Sequence, residues 1–158
     1  MSIRGNLAKW VFASIAKSFS ENLSGLTMHI EGEERNLSGQ SDWCELRIDG
    51  PKIAEISKDL LKISTEVNVL VATFRDKTTL YRESENIGKV VTAMVEHINI
   101  YKYGNQDGDD GTKIGCLKIL PRADLTDATI ISRFGQIDSS VNLFQTTVES
   151  HYEALISI

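Results

Sequence analysis

The sequence predicts an α+β fold: a mostly antiparallel, mixed β-sheet with two helices packed on it and a long projecting β-hairpin strand. Three observations predict it. Apolar side chains recur every fourth residue from Leu7 to Leu23, as on one face of a helix. From Leu61 to Thr73 the phase is strictly two, Leu61, Ile63, Thr65, Val67, Val69, Val71 and Thr73, as in a strand. The inferred order is one helix, three strands, a second helix and four strands, which suits helices gathered on one face of a sheet.

The 158 residues suit one domain spanning the whole chain, with 41% hydrophobic and 25% charged residues, values normal for a globular protein. A formal charge of −5 and an isoelectric point near 5.2 argue against gripping a phosphate backbone, which takes clustered Lys and Arg. They leave room for standing close to nucleic acid without holding it. Cys44 shares its phase with Leu46 and Ile48 and reads as a small apolar core residue, so a disulfide with the distant Cys116 is not expected. The start of the chain, residues 1–19, has the pattern of an amphipathic helix, and no run approaches the ~20 apolar residues of a membrane span. A soluble chain found in the cytoplasm is the expectation.

The first helix is predicted over residues 4–23. Leu7, Val11, Ile15, Phe19 and Leu23 form its stripe, with Ala8, Phe12 and Ala16 beside them, and Gly25 stops it. Trp10 lies off that stripe, which marks it either for burial under another element or for contact with a second subunit. Strands follow at 26–31 and 42–49, the second ended by Gly50-Pro51. The segment 52–63 is ambiguous, because Ile53, Ile56, Leu60 and Ile63 also suit a helix face. Alternation over Leu61, Ile63, Thr65, Val67, Val69, Val71 and Thr73 decides for one strand over 60–74. Fifteen strand residues reach ~50 Å, long for a domain of this size, so part should project and be covered by a neighbouring subunit. On this reading Trp10, Leu61, Ile63, Val67 and Val69 are interface residues. A second helix is predicted over 79–96, with Leu80, Ile87, Val90, Val91, Met94 and Val95 inward and Ser84 as an alternative cap. Strands at 98–103, 116–120 and 127–134 come next. The last strand sets Phe144, Thr146, Val148, Ser150, Tyr152, Ala154 and Ile156 on one face.

The chemical question sits in 104-GNQDGDDGTKIG-115. As a calcium loop started at Asn105 it puts Asn105, Asp107 and Asp109 in the first three ligand positions. The required glycine is then Asp110 and the closing glutamate Cys116, so the spacing fails. It is no phosphate loop either, since Lys113 is followed by Ile114. A solvated acidic loop is the simpler reading. His29 is out of phase with its strand and so exposed, His97 ends the second helix, and His151 stands between Glu149 and Glu153 on a wet strand face. No nucleophile elbow, metalloprotease helix or CxxC pair is present. Neither a cofactor nor a metal is expected.

Taken in order, 43-WCELRIDGP-51, 65-TEVNVLV-71, 87-IGKVV-91, 101-YKYG-104, 115-GCLKIL-120, 134-FGQID-138 and 147-TVESHYEA-154 resemble a neck protein of tailed bacteriophages, more narrowly a tail terminator, also called a tail completion or head–tail joining protein. The likeness runs from Trp43 to the last residues and lies in the order and spacing of the segments. It implies a hexameric ring in the virion, assembled in the host cytoplasm. Such a ring caps the tail tube protein, stops its growth, presents a surface to the head connector or stopper protein, and has no catalytic residues. With DNA passing through its centre, Asp107, Asp109 and Asp110 would line the channel and repel phosphate. Two rival readings are a different neck protein, an adaptor or stopper, and a small metal-dependent hydrolase using Asp107, Asp109 and Asp110, with His151.

Overall fold

The computed structural model describes residues 3–32, 41–105, 107–120, 129–138 and 141–158. Helix α1 covers Ile3–Asn22 and α2 Thr79–Ala93. The strands are β1 Thr27–Ile30, β2 Trp43–Ser57, β3 Leu60–Phe74, β4 His97–Tyr101, β5 Lys113–Leu120, β6 Thr129–Asp138 and β7 Val141–Ser157. They form one mixed sheet in the order β1-β2-β3-β7-β5-β4, with β6 also paired to β7. The fold is α+β, as the element order predicts.

At the centre, β3 and β7 pair antiparallel from Leu60↔Ser157 to Phe74↔Leu143 without a register shift. The alternation of β3 is realised residue by residue: Leu61, Ile63, Thr65, Val67, Val69, Val71 and Thr73 are all buried. Of their β7 partners, Thr146, Val148, Ser150, Tyr152, Ala154 and Ile156 are buried too, and Phe144 opposite Thr73 is half-buried. Each such Val, Leu or Ile removed from water contributes about 1.5–3 kcal/mol, so this row is a main source of stability.

The stretch 52–63 is not helical. β2 passes through Gly50-Pro51 and turns after Ser57 into β3, so Ile53 and Ile63 face each other across a hairpin. The helix-like spacing came from adding residues of two different strands. Proline does not end β2 because β1 pairs with it only from Trp43 to Leu46. Beyond that the outer edge of β2 has no strand partner among the described residues, and an amide donor is not required there. A register shift between Asp49 and Lys52 takes up the irregularity, with Gly50 at φ +99.

On the other side of β7, Leu120 pairs with His151 and Thr129 with the adjacent Ser150. β5 and β6 are therefore two pieces of one strand line, which the chain leaves at Leu120 and rejoins at Thr129. The turn read at 121–125 lies outside the described residues, as does most of the loop at 32–41.

Helix α2 packs on β3 and β7, whereas α1 touches β2 and β4, which stand far apart in the strand order. The sheet must therefore curl around α1. Both helices are rotated from their most apolar orientation. In α1 the inward residues are Leu7, Trp10, Val11, Ser14, Ile15 and Phe19, leaving Ala8 and Phe12 exposed. In α2 they are Glu83, Asn86, Val90 and Ala93, leaving Leu80 63% and Val91 37% exposed. Ser84 does not cap α2, since its hydroxyl donates to the Leu80 carbonyl within the helix.

Candidate assembly surfaces

The three aspartates of the 104–115 loop do not act together. The Asp109 carboxylate has no exposure and accepts 2.6 Å bonds from Trp10 Nε1 and Lys9 Nζ. Gly104 makes this possible, because a Cβ at that position would run into the Asp109 carboxylate. Asp110 instead closes a local turn, accepting from the Thr112 amide at 3.0 Å, and Thr112 hydrogen bonding holds its carboxyl below the usual range. Asp107 and Asp110 are exposed. The loop is thus a strut tying α1 to the β4–β5 connection, with two carboxylates left on its surface. Lys17 over Tyr103 at 4.6 Å and the Tyr101 amide donating to Ser14 Oγ at 3.0 Å continue the same seam.

This corrects two expectations. Asp109 cannot line a channel with Asp107 and Asp110, because its charge is already met inside the chain. His151 joins none of them. It pairs across the sheet with Glu66 on the face away from the helices, where its Nε2 lies 3.1 Å from Glu153 Oε1. That hydrogen bond and Lys62 hold the Glu153 carboxyl below its ordinary value. Among the described residues no group of three or more His, Cys, Asp or Glu side chains is placed to hold a metal.

The residues expected at a subunit interface are also placed otherwise. Trp10, Leu61, Ile63, Val67 and Val69 are at most 3% exposed and belong to the core of the single chain. Apolar alternation marks a side chain for burial but does not say what buries it. Here the chain's own core does, with α2 packed on β3 and α1 reaching the hairpin, where Arg4 forms an ion pair with Glu55. Cys44 is fully buried, and both cysteines are free thiols. His29 is half-buried with its ring edge against Trp43, and His97 opens β4 rather than ending α2.

Periodicity missed the polar contacts that set the helices. Arg82 donates both of its 2.7 Å bonds from Nη1 to the Asp42 carboxylate and reaches the Phe74 carbonyl with Nη2. Asn86 donates to the same Asp42 at 3.0 Å and to Thr73 Oγ1 at 3.2 Å. Glu83, 1% exposed, takes the Arg133 guanidinium of β6. A run of Arg, Glu and Asn in a predicted helix reads as a solvated face, and partners 8 to 50 residues away give no local signal.

Exposed apolar side chains stand on α2 (Leu80, Tyr81 and Val91), at the β2–β3 hairpin end (Ile56, Leu155 and Ile158) and at the two lateral edges of the sheet. Beside β1, a hollow of about 450 Å³ is lined by Phe12, Ala13, Ala16, Ile30, Leu46 and Ile48, with Lys9 and Glu31 at its rim. Beside β6 stand Ile131, 48% exposed, and Phe134, 60% exposed, either side of Arg133. No family model and no curated protein matches the chain. Among the described residues no helix is long and apolar enough to cross a membrane.

Proposed function

We propose that the chain is a structural virion protein of a tailed phage. In this reading it is a tail terminator whose ring caps the tail tube and joins it to the head connector, as the resemblance of its strand segments implies. The observation that carries a structural role is the central β3–β7 pair, unbroken over fifteen residues of each strand. It makes a plate ~50 Å long, and its flanking strands β2 and β6 have edges without strand partners among the described residues. Such a plate suits building a wall between neighbours better than enclosing a substrate. Asp107 and Asp110 are the carboxylates left to face passing DNA, and Asp109 holds their loop in place. The hydrolase reading loses its ligand set, since Asp109 is engaged by Lys9 and Trp10 and His151 lies on the other face of the sheet.

Immunolabelling of purified particles tests the proposal. Label is expected at the head–tail junction, and particles without label there would overturn it. Tails assembled without the protein should run overlong. Tails of normal length with unattached heads would instead assign it as an adaptor or stopper.

A further inference from the structure

The face of the sheet turned away from the helices has a corner whose charge is opposite to that of the chain. Register sets two neighbouring rows there. One runs Lys52, Ser64, Glu153 and Lys118 across β2, β3, β7 and β5, and the next runs Ala54, Lys62 and Leu155 across β2, β3 and β7. Together they hold three lysines and one carboxylate, in a chain whose net charge is −5. That carboxylate is already shared, since Glu153 Oε1 lies 3.1 Å from His151 Nε2 and 3.4 Å from Lys62 Nζ. Lys118, directly across from Glu153, is exposed, and so is Lys52. Neither has an ion-pair partner among the described residues.

The same corner is hollow. β5 pairs with β7 only over Lys118–Leu120, although β7 runs on beside β3 to Ser157. Where β5 and β7 part, a hollow of about 590 Å³ opens, lined by Cys116, Leu120, Ala154 and Leu155 together with Lys62, Lys118 and Glu153. Its apolar wall continues onto the surface, where Leu155 is 60% exposed. The volume falls within the ~300–1,000 Å³ of ligand pockets. From Lys52 to Lys118 the row crosses three strand spacings, ~14 Å, the reach of about four extended residues.

An apolar recess flanked by lysines with charge to spare suits a large apolar side chain that has carboxylates on either side of it. A nucleic-acid backbone fits less well, because the chain as a whole is acidic and a row of phosphates puts no apolar group into the recess. We infer that the β5–β7 hollow is the docking site for a short acidic segment of a partner protein. The segment seats a leucine or aromatic side chain against Leu120 and Leu155 and sets its carboxylates beside Lys118, Lys62 and Lys52. Opposite charge speeds the encounter and selects the partner, while the filled recess slows release. Register, charge and the hollow carry this assignment, independently of any place in a virion.

Cys116 supplies the readout in the unaltered protein. It is half-buried and lines the hollow, whereas Cys44 is fully buried, so Cys116 is the thiol that N-ethylmaleimide should reach in the folded chain. The whole protein is first panned against a random heptapeptide display library, and the enriched sequences should carry Asp or Glu on both sides of Leu, Phe or Tyr. A synthetic peptide of enriched sequence, at about four times its Kd, should slow Cys116 alkylation about fivefold. High salt should remove that protection. Lys118→Glu and Leu155→Asp alter exposed side chains and should each weaken the peptide roughly tenfold, with the urea midpoint as the check on folding. Enrichment without acidic residues, binding that leaves Cys116 alkylation unchanged, or full affinity in both variants overturns the inference. Protection of Cys116 by a DNA duplex instead would make this a phosphate site. Alkylation that slows as the protein itself is concentrated would make the occupant a second copy. Either result displaces the acidic segment.

Discussion

Trp10 Nε1 donates a 2.6 Å hydrogen bond to Asp109 Oδ1 across 99 residues of sequence, and Lys9 Nζ takes the other oxygen of the same carboxylate at 2.6 Å. One aspartate thereby gives a buried indole its partner and meets an adjacent ammonium. The pair explains why α1 turns Trp10 inward and leaves Phe12 outside. A buried indole N–H needs an acceptor, and the 104–115 loop supplies one.

Asp109→Ala should destabilise the fold by about 2–3 kcal/mol, since it strands a buried donor and a lysine that keeps only part of its hydration. Asp109→Asn retains an acceptor and should cost about 1 kcal/mol less. Asp107→Asn and Asp110→Asn should leave the urea midpoint unmoved. Denaturant melts at equal slope check this. Equal effects at all three aspartates would show that the loop is not a strut.

How far the sequence could be read follows from the range of each interaction. β3 was legible to its end residues because strand alternation is local and both neighbouring strands bury the same face. The hairpin around Ser57 was obscured by apolar residues of two strands that together imitate a helix. The rotation of α1 and α2 was not legible, because Ser14, Trp10, Glu83 and Asn86 are drawn inward by Tyr101, Asp109, Arg133 and Asp42. The stripes held in part: Leu7, Val11, Ile15, Phe19 and Val90 are buried, whereas Ala8, Phe12, Leu80 and Val91 are exposed. What periodicity could not supply is that part of each is left exposed.

Arg82 is the fastener of α2. Its bonds to Asp42 and to the Phe74 carbonyl fix the first turn of the helix against the start of β2 and the end of β3. Arg82→Lys keeps the charge but loses the fork, and should cost about 1 kcal/mol; Arg82→Ala should cost about 2 kcal/mol. Amide exchange should quicken first in α2. If Arg82→Lys matched the wild type in both stability and exchange, the forked geometry would be irrelevant.

Alkaline pH should unfold the chain in a defined window. Burial pushes the Cys44 thiol from 9.0 up to about 12. It also raises the Tyr152 phenol above its ordinary 10.0, while that hydroxyl donates to the Val95 carbonyl at 2.7 Å. The folded chain keeps both protons at a pH where the unfolded chain has released them. Stability is therefore intact below pH 9 and falls as pH rises through 9 and 10, by ~1.4 kcal/mol per pH unit for each group. Cys44→Ala and Tyr152→Phe should each flatten the alkaline limb, Tyr152→Phe at a neutral-pH cost of about 1 kcal/mol for its lost hydrogen bond. Melts from pH 7 to 11 read the slopes, and limbs as steep as the wild type's would remove both groups from the account.

Gly115 is set by packing rather than by backbone freedom. It pairs with Ile100 on β4, and a Cβ there would lie 3.2 Å from Ile156 Cγ1 and 3.8 Å from Ile100 Cδ1. Ile156 and Ile100 are both fully buried, so neither side chain can swing into solvent to make room. Gly115→Ala asks Ile156 to shift by a few tenths of an ångström. It should cost no more than about 1 kcal/mol, because a methyl's contacts and the loss of glycine's unfolded-state entropy offset the crowding. Gly115→Val adds two further carbons against the same wall and should cost about 2–3 kcal/mol. Pairing it with Ile156→Val, itself a loss of about 1 kcal/mol, should recover part of that. The double mutant would then be more stable than the sum of the two single losses predicts. Strict additivity in the thermal melts would mean that Gly115 and Ile156 do not share the space the structure gives them.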